Sequence, residues 1–73
     1  MPLGKKIAFL GSGNMAEALV KGLLAAGTAA KDEIVCAEPR PGRREELQAR
    51  YGIAAIASNT AAVQQAEIIV LSV

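Results

Sequence analysis

Histidine is absent, cysteine occurs once, and aromatic side chains fill only 3% of the 73 positions. Each shortage narrows what the chain can be. With no histidine and no nucleophile clustered beside a base, these residues offer no obvious machinery for making or breaking bonds. The single thiol, Cys36, excludes an intrachain disulfide, and its place in the apolar run Ile34–Ala37 marks it as a small core side chain. Eight basic against seven acidic residues leave a net charge of +1, which gives no broad attraction for nucleic acid or an anionic membrane, so any anion site has to be local. No apolar run approaches the ~20 residues of a membrane span, and the run after Lys5 and Lys6 is broken by glycine too soon for a signal peptide. The expected location is the cytoplasm.

Hydrophobic residues nevertheless make up 52%, so the core must be built from Ala, Val, Ile and Leu, as suits a tightly layered α/β sheet. One small domain is the most this length allows, and it would bury only about 60% of the surface its unfolded chain exposes. The organising stretch is Lys5–Ala16, where Ile7, Ala8, Phe9 and Leu10 form a run of strand length that breaks into glycines and then into helix formers. Gly11 can take the angles of a tight turn, and Gly13 has no Cβ to keep a pyrophosphate from the main chain. Ala16, at the third place of the G-x-G-x-x-G/A spacing, is small enough for the helix to pack close on the strand. The free N–H groups and positive dipole end of that helix would then face the phosphates. Glycine pairs also close ordinary turns, but here a strand precedes, a helix follows, and Glu38 ends the next candidate strand, somewhat beyond the ~20-residue interval usual for a ribose-binding acid. The combination favours dinucleotide binding.

Residues 14–26 read as a helix with Met15, Leu19, Leu23 and Ala26 on its inner stripe and Glu17 paired with Lys21 on the outer side. Gly22 would be kept for close packing on the sheet, and Gly27 caps the end. A polar connection leads to a second strand, Ile34–Ala37. Pro39-Arg40-Pro41-Gly42-Arg43-Arg44 then gives the densest positive charge before a marginal helix over residues 45–51, with Pro41 as a candidate first-turn residue and Leu47 and Tyr51 as its apolar pair. Ile53–Ala57 predicts a third strand. Ser58, Asn59 and Thr60 offer caps for a short helix through Gln65, with Val63 and Ala66 inward, and residues 68–73 predict a fourth buried strand. Four strands alternating with three helices make half of a Rossmann fold, an α/β parallel sheet of order 3-2-1-4. An apolar strand closing the sequence suggests a fragment, residues 1–73 being a dinucleotide-binding domain whose missing part should carry the substrate site.

Ile7–Ala18 (IAFLGSGNMAEA), Tyr51-Gly52-Ile53, Ser58-Asn59 and Ala66–Val73 together resemble the N-terminal domain of pyrroline-5-carboxylate reductase across nearly the whole chain. The most specific piece is Gly11-x-Gly-Asn-Met-Ala. The resemblance implies reduction of 1-pyrroline-5-carboxylate to L-proline, the last step of proline biosynthesis, by hydride from NADPH or NADH. It also implies that residues 1–73 would be the N-terminal NAD(P)-binding domain, and that a C-terminal helical domain, absent here, would build the substrate pocket and dimerise, giving a homo-oligomer when the chain is complete. By position it implies that Gly11, Ser12, Gly13, Asn14 and Met15 line the pyrophosphate and that Glu38, Pro39 and Arg40 face the adenosine ribose. Asn59 would contact the cofactor, with Leu71, Ser72 and Val73 beside its nicotinamide half. Members often carry a polar or basic residue where this chain has Pro39.

Two features at the ribose end pull apart. Glu38 can accept from an unmodified 2′-hydroxyl, as in NAD, whereas Arg40, Arg43 and Arg44 can attract a 2′-phosphate; two or more arginines within reach tip the balance toward NADPH, with NADH second. Plainer roles also fit: Asn59 as a helix cap, Ser12 as a turn residue, the arginines as a solvated face. Two other functions share the half-Rossmann pattern. One is a regulatory nucleotide-sensing module; the other is a different nicotinamide-dependent dehydrogenase, of prephenate or F420-linked type, which accounts less well for Asn14-Met15.

Overall fold

The alternation of apolar runs with helix-forming stretches is carried directly into the fold. The computed structural model describes residues 4–11 and 13–71. In order they form β1 (Ile7–Leu10), α1 (Asn14–Ala25), a 3-10 turn (Lys31–Glu33), β2 (Ile34–Ala37), α2 (Pro41–Tyr51), β3 (Ala54–Ile56), α3 (Asn59–Gln64) and β4 (Ile68–Leu71). All pairings are parallel and the sheet order is β3-β2-β1-β4, as the half-Rossmann pattern predicts. Leu10 lies opposite both Ala37 and Leu71, so β1, β2 and β4 end level and share one carboxyl edge. Among the described residues no helix is long and apolar enough to cross a membrane.

Strand alternation sends successive side chains to opposite faces. On one face Ile7, Phe9, Ile34, Cys36 and Ala55 pack against Ala16 and Val20 of α1 and Leu47 of α2. On the other, Ala8, Val35 and Ala37 receive Ala62 of α3, with Leu10, Ile56 and Ala66 at the margin. Pro41 occupies the first turn of α2, and Gly27 and Gly52, both with φ of 70°, follow the ends of α1 and α2. Ser58 is the N-cap of α3, its Oγ accepting from the Ala61 N–H at 3.2 Å, so Asn59 is the first helical residue and not the cap.

Several expectations are corrected. α1 is rotated so that Ala16 and Val20 are buried, while Met15 is 72% exposed and Leu19 is exposed as well. Ala16 packs in the cluster with Ile7 and Phe9, and of the expected stripe Met15, Leu19 and Ala26 turn outward while Leu23 stays half-buried against the core. α3 follows the same logic, burying Ala62 and exposing Val63, because the alanine-rich face beneath it has room for little more than a methyl group. Gly22 is exposed, and a Cβ there would meet nothing within 4 Å, so close packing is not its role. β4 is not buried on both faces: Ile69 and Leu71 stand exposed on the α3 side, at the sheet's edge, since α3 lies over β1, β2 and β3.

The expected Glu17–Lys21 pair gives way to a contact between helices. Tyr51 Oη donates to the Glu17 carboxylate at 2.6 Å, and Arg43 Nη2 and Arg50 Nη1 donate to it at 2.7 Å each. The Tyr51 hydrogen bond first, then those of Arg43 and Arg50, hold the Glu17 pKa down at about 2. α2 begins four residues earlier than its expected start, at Pro41, because proline is pre-set for a first turn. Arg43 and Arg44 therefore belong to a helix and not to a loop.

Candidate functional site

β1 leaves the sheet through Gly11, whose φ of 95° lies where a residue with a Cβ is rarely found. The Gly11 N–H donates to the Ala37 carbonyl at 3.3 Å, so the turn begins only after the strand is tied to the end of β2. Gly13 is a different case. Its φ of −73° and ψ of −170° are ordinary extended backbone, and an added Cβ would meet nothing within 4 Å. The fold itself makes no demand for glycine there; what a side chain would fill is the open approach to the main chain, which is the cradle a pyrophosphate needs.

α1 starts at this point. Gly13 is its N-cap and has no side chain to offer the helix, although its carbonyl accepts the Glu17 N–H at 3.0 Å. The first-turn N–H groups of Asn14, Met15 and Ala16 have no partners within the helix and lie at the positive end of its dipole, at the carboxyl edge of the sheet. Asn14 and Met15 are exposed, while Ala16 presses on β1. Leu71, 72% exposed, ends β4 at the same edge. The structure thus gathers Gly11, Gly13, Asn14, Met15 and Leu71 where the strand order reverses between β1 and β4, the place where open α/β sheets bind their ligands. Asn59 is exposed after the carboxyl end of β3. Ser12, Ser72 and Val73 lie outside the described residues.

At the end of β2 the three arginines part company. The Glu38 N–H donates to the Ile56 carbonyl at 2.7 Å, and the Glu38 side chain is only 3% exposed. Its Oε2 accepts from the Arg40 main-chain N–H at 2.8 Å and from Arg40 Nε at 2.9 Å, and its Oε1 accepts from Nη2 at 3.0 Å. This hydrogen bonding raises the Arg40 pKa further above its already basic range. Arg44 Nη1 donates to the carbonyls of Glu38 and Pro39, both at 2.9 Å. Arg43 turns inward to Glu17 and Glu46. Of the cluster, Arg40 is the side chain left mostly in solvent, 70% exposed. The Glu38–Arg40 fork is a feature that charge counting missed; the signal available for it was the two-residue spacing. Among the described residues no cluster of His, Cys, Asp or Glu could hold a metal ion.

Residues 6–73 match the family described as "NADP oxidoreductase coenzyme F420-dependent". The chain belongs to this family. Relatives include the pyrroline-5-carboxylate reductase of Vibrio alginolyticus, 44% identical over 69 residues, covering 94% of this chain and 25% of that protein. The enzyme of the same name from Pseudomonas aeruginosa is 40% identical over 68 residues (93% and 24%), and that of Synechocystis is 35% identical over 68 residues (93% and 26%). The chain spans about a quarter of the length of the curated relatives it matches. Family membership agrees with the glycine turn and with a nicotinamide-type oxidoreductase domain, and the relatives are those the sequence resembles.

Proposed function

We propose that this chain is the NAD(P)H-binding part of a pyrroline-5-carboxylate reductase, serving the reduction of 1-pyrroline-5-carboxylate to L-proline. The observation that carries this reading is the glycine turn, where a left-handed Gly11 and an unencumbered Gly13 deliver the first turn of α1 to the edge between β1 and β4. Gly11, Ser12, Gly13, Asn14 and Met15 would hold the pyrophosphate, Arg40, braced by Glu38, the adenosine end, and Asn59, Leu71, Ser72 and Val73 the remainder. Bound there, the cofactor supplies a hydride for the imine carbon of the substrate, whose nitrogen takes a proton. The substrate pocket and the acid would come from polypeptide outside these residues, in a complete homo-oligomeric, cytoplasmic enzyme without nucleic-acid or membrane partners. NADPH is the favoured cofactor and NADH the second choice, because Arg40 is the charge a ligand meets first.

Gly13→Val in the complete protein is expected to abolish NADPH binding while leaving the fold intact, since the added carbons have free space in the chain but occupy the path of the pyrophosphate. Fluorescence titration beside a melting curve checks both halves of that statement. Unchanged affinity in a folded variant would end the dinucleotide reading. The family description favours a second reading, an F420-linked oxidoreductase. Assaying the protein with 1-pyrroline-5-carboxylate and with F420 as alternative acceptors separates the two.

A further inference from the structure

The acidic residue at the end of the second strand of a Rossmann half is ordinarily read as the acceptor for a ribose 2′-hydroxyl, which would mark this chain for NAD. The geometry here contradicts that role. Glu38 is 3% exposed, and both of its oxygens are engaged by Arg40, one by the main-chain N–H and Nε and the other by Nη2. Arg40 lies over the carboxylate with 70% of its side chain in solvent, so an approaching ligand meets the guanidinium and not the acid. A guanidinium carries five N–H donors. Nε–H and one N–H of Nη2 go to Glu38, which leaves one N–H of Nη1 and the second of Nη2 side by side along one outer edge, the other N–H of Nη1 pointing back toward the Cδ side. That edge matches two phosphate oxygens.

We infer that Glu38 is a positioning residue that sets cofactor specificity: it fixes Arg40 with its Nη1–Nη2 edge outward, so that the subsite takes a phosphomonoester on the 2′ position in place of a free hydroxyl. The inference rests on the dinucleotide reading and deepens it. The carboxylate contributes in two ways. Its charge is compensated by Arg40, so it does not repel the incoming phosphate as an isolated acid would. It also removes the rotamer freedom that a long, exposed arginine otherwise loses on binding. Arg44, donating to the carbonyls of Glu38 and Pro39, holds the turn that carries the pair.

The test uses the complete enzyme and needs no variant to begin. In competition against NADPH, 2′,5′-ADP is expected to bind at least about tenfold tighter than 5′-ADP, the scale of one charge-assisted contact, and the gap should narrow as salt rises. Equal or tighter binding of 5′-ADP, with both cofactors still bound, overturns this inference alone; failure of every nucleotide to bind overturns the dinucleotide reading with it. Glu38→Gln should then raise the NADPH KM several-fold at constant kcat and leave the NADH KM within about twofold. Because Glu38 acts through Arg40, its effect should vanish in an Arg40→Ala background, where the double variant binds NADPH no worse than Arg40→Ala alone. A lower NADPH KM or a raised NADH KM in Glu38→Gln would show that the carboxylate receives the 2′-hydroxyl after all.

Discussion

Against one face of the sheet Phe9, Ile34 and Cys36 meet Val20 and Leu47, whereas against the other Ala8, Val35 and Ala37 meet little more than Ala62. Fully burying a large aliphatic or aromatic side chain stabilises by about 1.5–3 kcal/mol, while each methyl or methylene contributes about 0.8. The α1–α2 face therefore carries most of the cohesion of this chain, and the α3 face little. The difference also bears on the site. The helix that presents its first turn at the carboxyl edge is anchored on the heavily packed face, and the exposed Ile69 and Leu71 belong to the lightly packed one.

Phe9→Ala should break the strong side outright, at a cost of about 3–5 kcal/mol. That is of the same order as the whole stability of so small a unit, at roughly 0.05–0.15 kcal/mol per residue. Urea denaturation measures it, and a cost below about 1 kcal/mol would mean that the two faces are equivalent.

The Glu17 contact sharpens the comparison through pH. Its folded pKa of about 2 lies below the ordinary 4.5, so its contribution is complete above pH 4.5 and is lost as pH falls through that interval toward 2. Glu17→Gln should flatten the fall of the urea midpoint across the same interval, and an identical slope in the two proteins would exclude Glu17 as its source. The effect is smaller than that of Phe9, since the carboxylate is partly solvated.

On the outer side of α1, Gly22→Ala should stabilise by up to about 1 kcal/mol, because the exposed position has space for a Cβ and alanine is the better helix former. A loss of stability would show that a neighbour occupies that space. The smallest effect is expected at Leu71→Ser, within about 0.5 kcal/mol on the weak face. A cost of several kcal/mol in the complete protein would show that further polypeptide covers β4.

The legible parts of this structure were those written in neighbouring residues. β1, the glycine turn and α1 follow one another within twenty residues, each with its own local signal, and parallel crossovers of one hand leave little choice of strand order. The rotation of the helices was harder, because Met15 and Ala16, or Val63 and Ala62, are adjacent and both apolar. Size suggested that the larger residue would be inside; the separation between helix and sheet decided for the smaller. The Glu17 contact was out of reach for a different reason, since its donors lie 26 to 34 residues away, on α2, and compete with the local Lys21. At the site, spacing placed Glu38 and Arg40 together correctly, but charge alone set them against each other. Only the geometry shows the acid holding the arginine.

Cys36 sits in the middle of β2, 1% exposed, with burial pushing its thiol up to about 11. As the chain's one cysteine it makes β2 its own clock. A thiol reagent reaches the sulfur only when β2 and the helices above it part, at which moment the group regains an ordinary pKa near 8.5 and its usual reactivity. When closing outruns labelling, the observed rate divided by that of a free thiol is the fraction of time the interior stands open. Followed with and without nucleotide, that ratio reports how far events at the carboxyl edge quieten the centre of the sheet, with no label introduced by mutation.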